Sequence, residues 1–155
     1  MLLTFVKMNV KQKKIITFWL FSGLFIILSM IVIGGITRIT ESGLSMAHWS
    51  FSGEIPTEEN ILKSYLEWKE TPQGKSLSSM SLEEFKKIYF WEYLHRTIGR
   101  LLGMLFIIPF TIFSIKKWIT RNDFNKYIIL LIIGSLQAII GWWMVKSGLI
   151  DKPNV

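Results

Sequence analysis

Three long runs of uncharged, largely apolar residues govern what this chain can fold into. Ile15 to Thr37 holds 23 residues without a charge, Tyr127 to Val145 holds 19, and Leu101 to Ile115 holds 15 between Arg100 and Lys116. A helix needs about 20 mostly apolar residues to cross roughly 30 Å of hydrocarbon. The first and third runs therefore span unaided, and the second borrows length from the polar residues before it. Half of the residues are hydrophobic, and the pattern predicts an all-α integral membrane protein with three transmembrane helices. The expected division is a basic N-terminus over 1–14, spans over 15–37, 91–116 and 127–145, an outer loop with short helices over 38–90, a cytoplasmic loop over 117–126 and an outer tail over 146–155.

Orientation follows from the lysines and arginines beside the spans, because cytoplasmic flanks are enriched in them. Lys7, Lys11, Lys13 and Lys14 precede the first span, and Lys116, Lys117, Arg121 and Lys126 crowd the link between the second and third. The expected topology is N-in and C-out, with the link on the cytoplasmic or matrix side. The formal net charge of +7 is then mostly topological, and membrane lipid rather than nucleic acid is the expected surface partner. A cleaved signal peptide is disfavoured, since its apolar region is usually about 7 to 15 residues and the first run is longer. No Arg- and Ser-rich transit stretch precedes that run, which points to a bacterial cytoplasmic membrane in preference to the mitochondrial inner membrane. With no cysteine in the chain, neither a disulfide nor a thiolate metal ligand is available.

The polar stretches carry helix punctuation. Thr57 before Glu58 and Glu59 reads as a cap opening a helix that Thr71-Pro72-Gln73-Gly74 closes. Ser81 and Glu84 have capping-box spacing, and the helix they open is expected to run through Phe85, Ile88 and Trp91 into the second span. On that helix Glu92 and His95 stand three residues apart and share a face, so one ligand can meet both. His95 lies about 31 Å from Lys116 at 1.5 Å per residue, near the outer boundary of a bilayer. Glu92 also reads as a surface acid paired with Arg96 at i+4, and His95 as an interfacial imidazole bonded to a carbonyl. Against that, ionisable groups in or beside a span are expensive, and neutral imidazole is a common ligand of haem iron and other metals. Arg96 and Arg100, one turn apart, either reach to headgroups or hold carboxylates such as haem propionates. Pro109 is expected to kink the second span, and Gln137 to bond between helices or line a pocket. Trp19, Trp91, Trp118, Trp142 and Trp143 read as interface anchors.

Several stretches together resemble the haem A synthase family, in the form lacking an outer-loop cysteine pair. They are Gly34-Gly35-Ile36-Thr37-Arg38-Ile39-Thr40-Glu41-Ser42-Gly43-Leu44-Ser45-Met46, then Trp49, Glu84-Phe85-Lys86-Lys87-Ile88, Glu92-Tyr93-Leu94-His95-Arg96 with Gly99-Arg100, and Gly141-Trp142-Trp143-Met144-Val145-Lys146-Ser147-Gly148-Leu149. They stand in the family's order and cover nearly the whole chain. The resemblance implies a membrane enzyme that oxidises a ring methyl of haem O to a formyl group, giving haem A for terminal oxidases. It implies two similar four-helix bundles, of which this chain supplies three quarters of the first haem-binding bundle. His95 would be an axial ligand of the haem iron, Glu92 the essential acid, and Arg38, Arg96 and Arg100 candidates for propionate pairing. Haem b is expected in the C-terminal half, which this chain lacks; that half or a second copy would be a partner, and haem O synthase is a further candidate.

By that resemblance the chain is an N-terminal half, a fragment or a separately encoded piece, inactive alone. His48 stands where the family usually has an acid and is not expected to serve as a second ligand. A non-catalytic haem-binding or oxidase-assembly protein, with two His95 residues from separate chains on one iron, is the alternative. A di-iron carboxylate bundle would want a second Glu-x-x-His motif, and a zinc protease helix lacks its first histidine.

Overall fold

The computed structural model describes residues 8–46 and 55–150; His48 and Trp49 lie outside the described residues. Among these the chain is helical throughout, with α1 at Val10–Ile39, α2 at Glu58–Lys69, α3 at Pro72–Ser76, α4 at Leu82–Ile115 and α5 at Arg121–Ile150. A 3-10 turn at Ser42–Leu44 follows α1. Helices α1, α4 and α5 are each long and apolar enough to cross a membrane, so the protein is an all-α integral membrane protein.

Each long helix starts further from its apolar run than hydropathy alone suggests, because capping residues set the boundary. Asn9 accepts from the Gln12 amide at 2.9 Å while the Gln12 side chain accepts from the Asn9 amide at 2.9 Å. This reciprocal cap begins α1 five residues before Ile15. Helix α4 opens on the expected box, with the Ser81 amide donating to Glu84 at 2.8 Å and the Glu84 amide to Ser81 Oγ at 3.3 Å, and runs 34 residues without a break. Thr120 receives the Asp123 amide at 3.2 Å and starts α5 at Arg121. The stretch Thr71–Gly74 terminates a helix as expected and also opens the next one. It ends α2 and at once begins α3, since Thr71 caps the Gly74 amide at 3.2 Å and Pro72 occupies the first turn, where its missing N–H costs nothing.

Helix α4 ends in a Schellman arrangement. Lys117 takes a left-handed φ of 55°, the Lys117 amide bonds the Ser114 carbonyl at 3.1 Å, and the Trp118 amide reaches the Phe113 carbonyl at 2.9 Å. The Trp118 and Phe113 rings stack with centroids 5.4 Å apart, the hydrophobic contact that accompanies this motif. The reversal aims α5 back along α4.

Two apolar clusters hold the molecule. One, at the α4–α5 turn, joins Ile16 and Trp19 of α1 to Phe110 and Phe113 of α4 and Ile119 of the turn, with Tyr127 of α5 against it. The other joins Met46, Ile61, Tyr65 and Trp68 to Phe85, Ile88 and Tyr89 at the opposite end, fastening α2 to the start of α4. Helix α5 meets α4 near the turn and the 3-10 turn and α3 at its far end. Along its apolar middle no residue is buried.

Trp19 departs from its reading as an interface anchor. It is 5% exposed and its indole N–H donates to the Leu105 carbonyl at 2.7 Å. Leu105 lies four residues before Pro109, which has no N–H to offer that carbonyl. Trp19 thus supplies from α1 the bond that Pro109 removes from α4, in a region without water to do so. Trp19→Phe keeps the ring contacts with Phe106 and Phe113 but orphans the carbonyl, and is expected to cost about 1–2 kcal/mol in reversible unfolding from detergent micelles. A loss below about 0.3 kcal/mol would contradict the role.

Candidate functional site

Glu92 sits at the junction of α4 with the loop that follows α1. Three donors converge on its carboxylate: Ser45 Oγ at 2.6 Å and the Met46 amide at 2.9 Å, both to Oε2, and Arg96 Nη2 to Oε1. The same Arg96 nitrogen donates to the Met46 carbonyl at 3.0 Å. Glu92 is 3% exposed and Ser45 wholly buried. The i+4 pair foreseen from spacing is therefore present, but as a buried ion pair clasping the loop instead of a solvated helix face. Its donor set is that of an ionised carboxylate, since all three partners donate.

The loop is placed by a second chain of hydrogen bonds. Glu41 closes α1 at a left-handed φ of 53°, its amide donating to the Arg38 carbonyl at 3.3 Å, and Ser42 Oγ donates to the Thr37 carbonyl at 3.1 Å. The Glu41 carbonyl accepts from Gln73 Nε2 at 2.7 Å, while Gln73 Oε1 accepts from the Trp68 indole at 2.9 Å. Both ends of the buried Gln73 amide are matched, so α2 and α3 fix the turn after α1, and that turn presents Ser45 and Met46 to Glu92.

His95, one turn from Glu92, is half-buried against α1. A Cβ on Gly34 would stand 3.4 Å from His95 Nε2 and 3.9 Å from Cδ2. The imidazole Nε2 thus faces the backbone of α1 at a residue that has no side chain. Arg100 is half-buried one turn beyond Arg96, and Arg38 is exposed near the end of α1. No cluster of three or more His, Asp or Glu side chains suited to a bare metal ion occurs among the described residues. In donor chemistry the set suits a haem: one imidazole that could ligate the iron, and the arginines Arg38, Arg96 and Arg100 whose charges suit carboxylates. Sequence reasoning named Glu92, His95, Arg38, Arg96 and Arg100 as candidates, and the structure joins Glu92 to Arg96 with His95 one turn away; that reasoning did not foresee Ser45, Met46 and Gln73 as partners of this region. Ser45 and Met46 lay in a quoted stretch, yet their bonds to Glu92 cross 47 and 46 residues, and no local spacing encodes that.

Three apolar helices with a buried carboxylate and an adjacent imidazole at one end define a membrane-bundle protein built around an ionisable site. The profile of the cytochrome oxidase assembly protein family matches residues 17–155, and the chain belongs to that family. It is 44% identical over 151 residues to a haem A synthase of Flavobacterium psychrophilum, covering 94% of this chain and 44% of that protein. The haem A synthase of Nitrosospira multiformis is 42% identical over 147 residues, 92% of this chain and 41% of the relative. That of Arabidopsis thaliana is 43% identical over 147 residues, 93% and 32% respectively. The chain spans less than half the length of these curated relatives. No solved structure matches it.

Proposed function

We propose that this chain carries the haem O site of a haem A synthase, in which a ring methyl of haem O is oxidised to formyl for cytochrome oxidase assembly. The observation that supports the reading most is the buried Glu92 beside His95, in a chain whose relatives are named haem A synthase. Bound haem supplies the redox chemistry, and the protein supplies orientation and electrostatics. His95 would hold the haem iron through its imidazole, where the absence of a side chain at Gly34 keeps α1 from crowding the Nε2 atom. Arg38 and Arg100 are the propionate partners; Arg96 serves the Glu92 carboxylate and the Met46 carbonyl first. Glu92, ringed by donors, stabilises positive charge that develops as the methyl carbon is oxidised, or takes up the proton released there. A further ligand for the iron, and a haem b, would come from a C-terminal half supplied separately, or the ligand from a second copy. Haem O synthase is the supplier expected upstream.

The test is to purify the chain from membranes that make haem O and to identify the extracted pigment by chromatography and mass. Haem O or its oxidised products are expected with the unsubstituted chain and with Glu92→Gln, and loss of pigment with His95→Ala. In a hybrid where the chain replaces the matched segment of the F. psychrophilum relative, Glu92→Gln is expected to keep haem while turnover falls roughly 100-fold or more. Equal pigment and equal turnover in all three proteins would sink the assignment.

A further inference from the structure

Glu92 owes its orientation as much to the loop after α1 as to its own helix. Its Oε2 has two partners, and both come from Ser45 and Met46. The Met46 donor is a backbone amide that any residue supplies. The Ser45 hydroxyl is a side chain, wholly buried, and at 2.6 Å it makes the shorter bond of the two. A short O–H···O⁻ bond is among the stronger ones a neutral side chain makes. Arg96 binds the other oxygen from within α4, four residues on, so without Ser45 the carboxylate keeps its counter-charge but loses side-chain restraint on Oε2.

From this arrangement we propose that Ser45 is a positioning residue for the haem-methyl oxidation, holding the Glu92 carboxylate in the rotamer that faces the reacting edge of the substrate. The proposal rests on the functional reading above. Ser45 acts through Glu92 and touches neither the substrate nor its iron. Its substitution therefore alters rate more than binding, because substrate affinity resides in His95 and the arginines. A carboxylate turned away from the charge it must stabilise loses the advantage of preorganisation.

Two measurements test it. In the active hybrid, Ser45→Ala is expected to lower kcat roughly 10- to 100-fold, with KM and haem content within about twofold of the parent. In a Glu92→Gln background the same change is expected to add nothing, since residues acting through one another are not additive. In the purified chain, the infrared carboxylate band that Glu92→Gln removes is expected to shift in Ser45→Ala; this readout needs no turnover. An unmoved band, or additive losses in the double variant, overturns the proposal. If Glu92→Gln loses turnover while Ser45→Ala keeps it, the positioning role falls and the functional reading stands. If Glu92→Gln itself keeps turnover, both fall.

Discussion

Arg96→Met is expected to be the most destabilising single change at the site, costing about 3–5 kcal/mol. Glu92 is 3% exposed and Arg96 provides its only cationic partner among the ion pairs of the described residues. Methionine fills a similar volume but leaves a buried carboxylate without counter-charge, and breaking one side of a buried pair costs far more than the pair contributes. The change also removes the bond to the Met46 carbonyl, 3.0 Å from Arg96 Nη2, so the loop after α1 loses one of its two charged anchors and is left held by Glu92 alone. Reversible unfolding in mixed micelles measures the loss. The double variant Glu92→Gln with Arg96→Met is expected to recover most of it, because no charge is then left buried. A single-variant cost under about 1 kcal/mol would mean that water reaches the pair.

That pair also shows where sequence reading succeeds and stops. Residues four apart on a helix must be neighbours, so the contact between Glu92 and Arg96 was legible. Its burial was not, since it depends on Ser45 and Met46, which arrive from the far side of the outer segment. The long helices were legible for the same local reason: their apolar runs exceed any loop, and Ser81 with Glu84 marks a start. Asn9 and Gln12 carry an equally local signal, but the helix start it marks lies five residues before the apolar run that begins at Ile15, where hydropathy is silent. Trp19 illustrates the opposite case. Tryptophan near the end of a span is usually an interface anchor, and only the coincidence of Pro109 and the α1–α4 packing turns its N–H inward. Which helix would present a carbonyl four residues before that proline to which tryptophan is a question of tertiary register, and no spacing within one helix answers it.

Gly74→Ala is the second change expected to have a large effect, and its reach goes beyond its own turn. A Cβ at this position would lie 2.1 Å from the Trp68 carbonyl oxygen, 2.7 Å from Lys69 Cα and 2.8 Å from the Trp68 carbonyl carbon. All three obstacles are backbone, so no side-chain rotation relieves them, and the corner between α2 and α3 must open. The expected cost is about 3 kcal/mol or more. Opening the corner parts Trp68 from Gln73, now joined at 2.9 Å, and Gln73 from the Glu41 carbonyl, now at 2.7 Å. The turn that presents Ser45 and Met46 then loses its support from above, although the spans, packed through Trp19, Phe110 and Phe113, are untouched. Limited proteolysis should therefore show new cleavage between α2 and α4 with the membrane helices still protected. Haem content is expected to fall less than turnover, since His95 and Gly34 belong to the spans. Gly43→Ala is the matched control, because nothing lies within 4 Å of its Cβ position, and it should change stability by less than about 0.5 kcal/mol. Equal behaviour of the two alanine variants would show that the outer helices do not hold the loop at Glu92, and that α4 alone places the carboxylate.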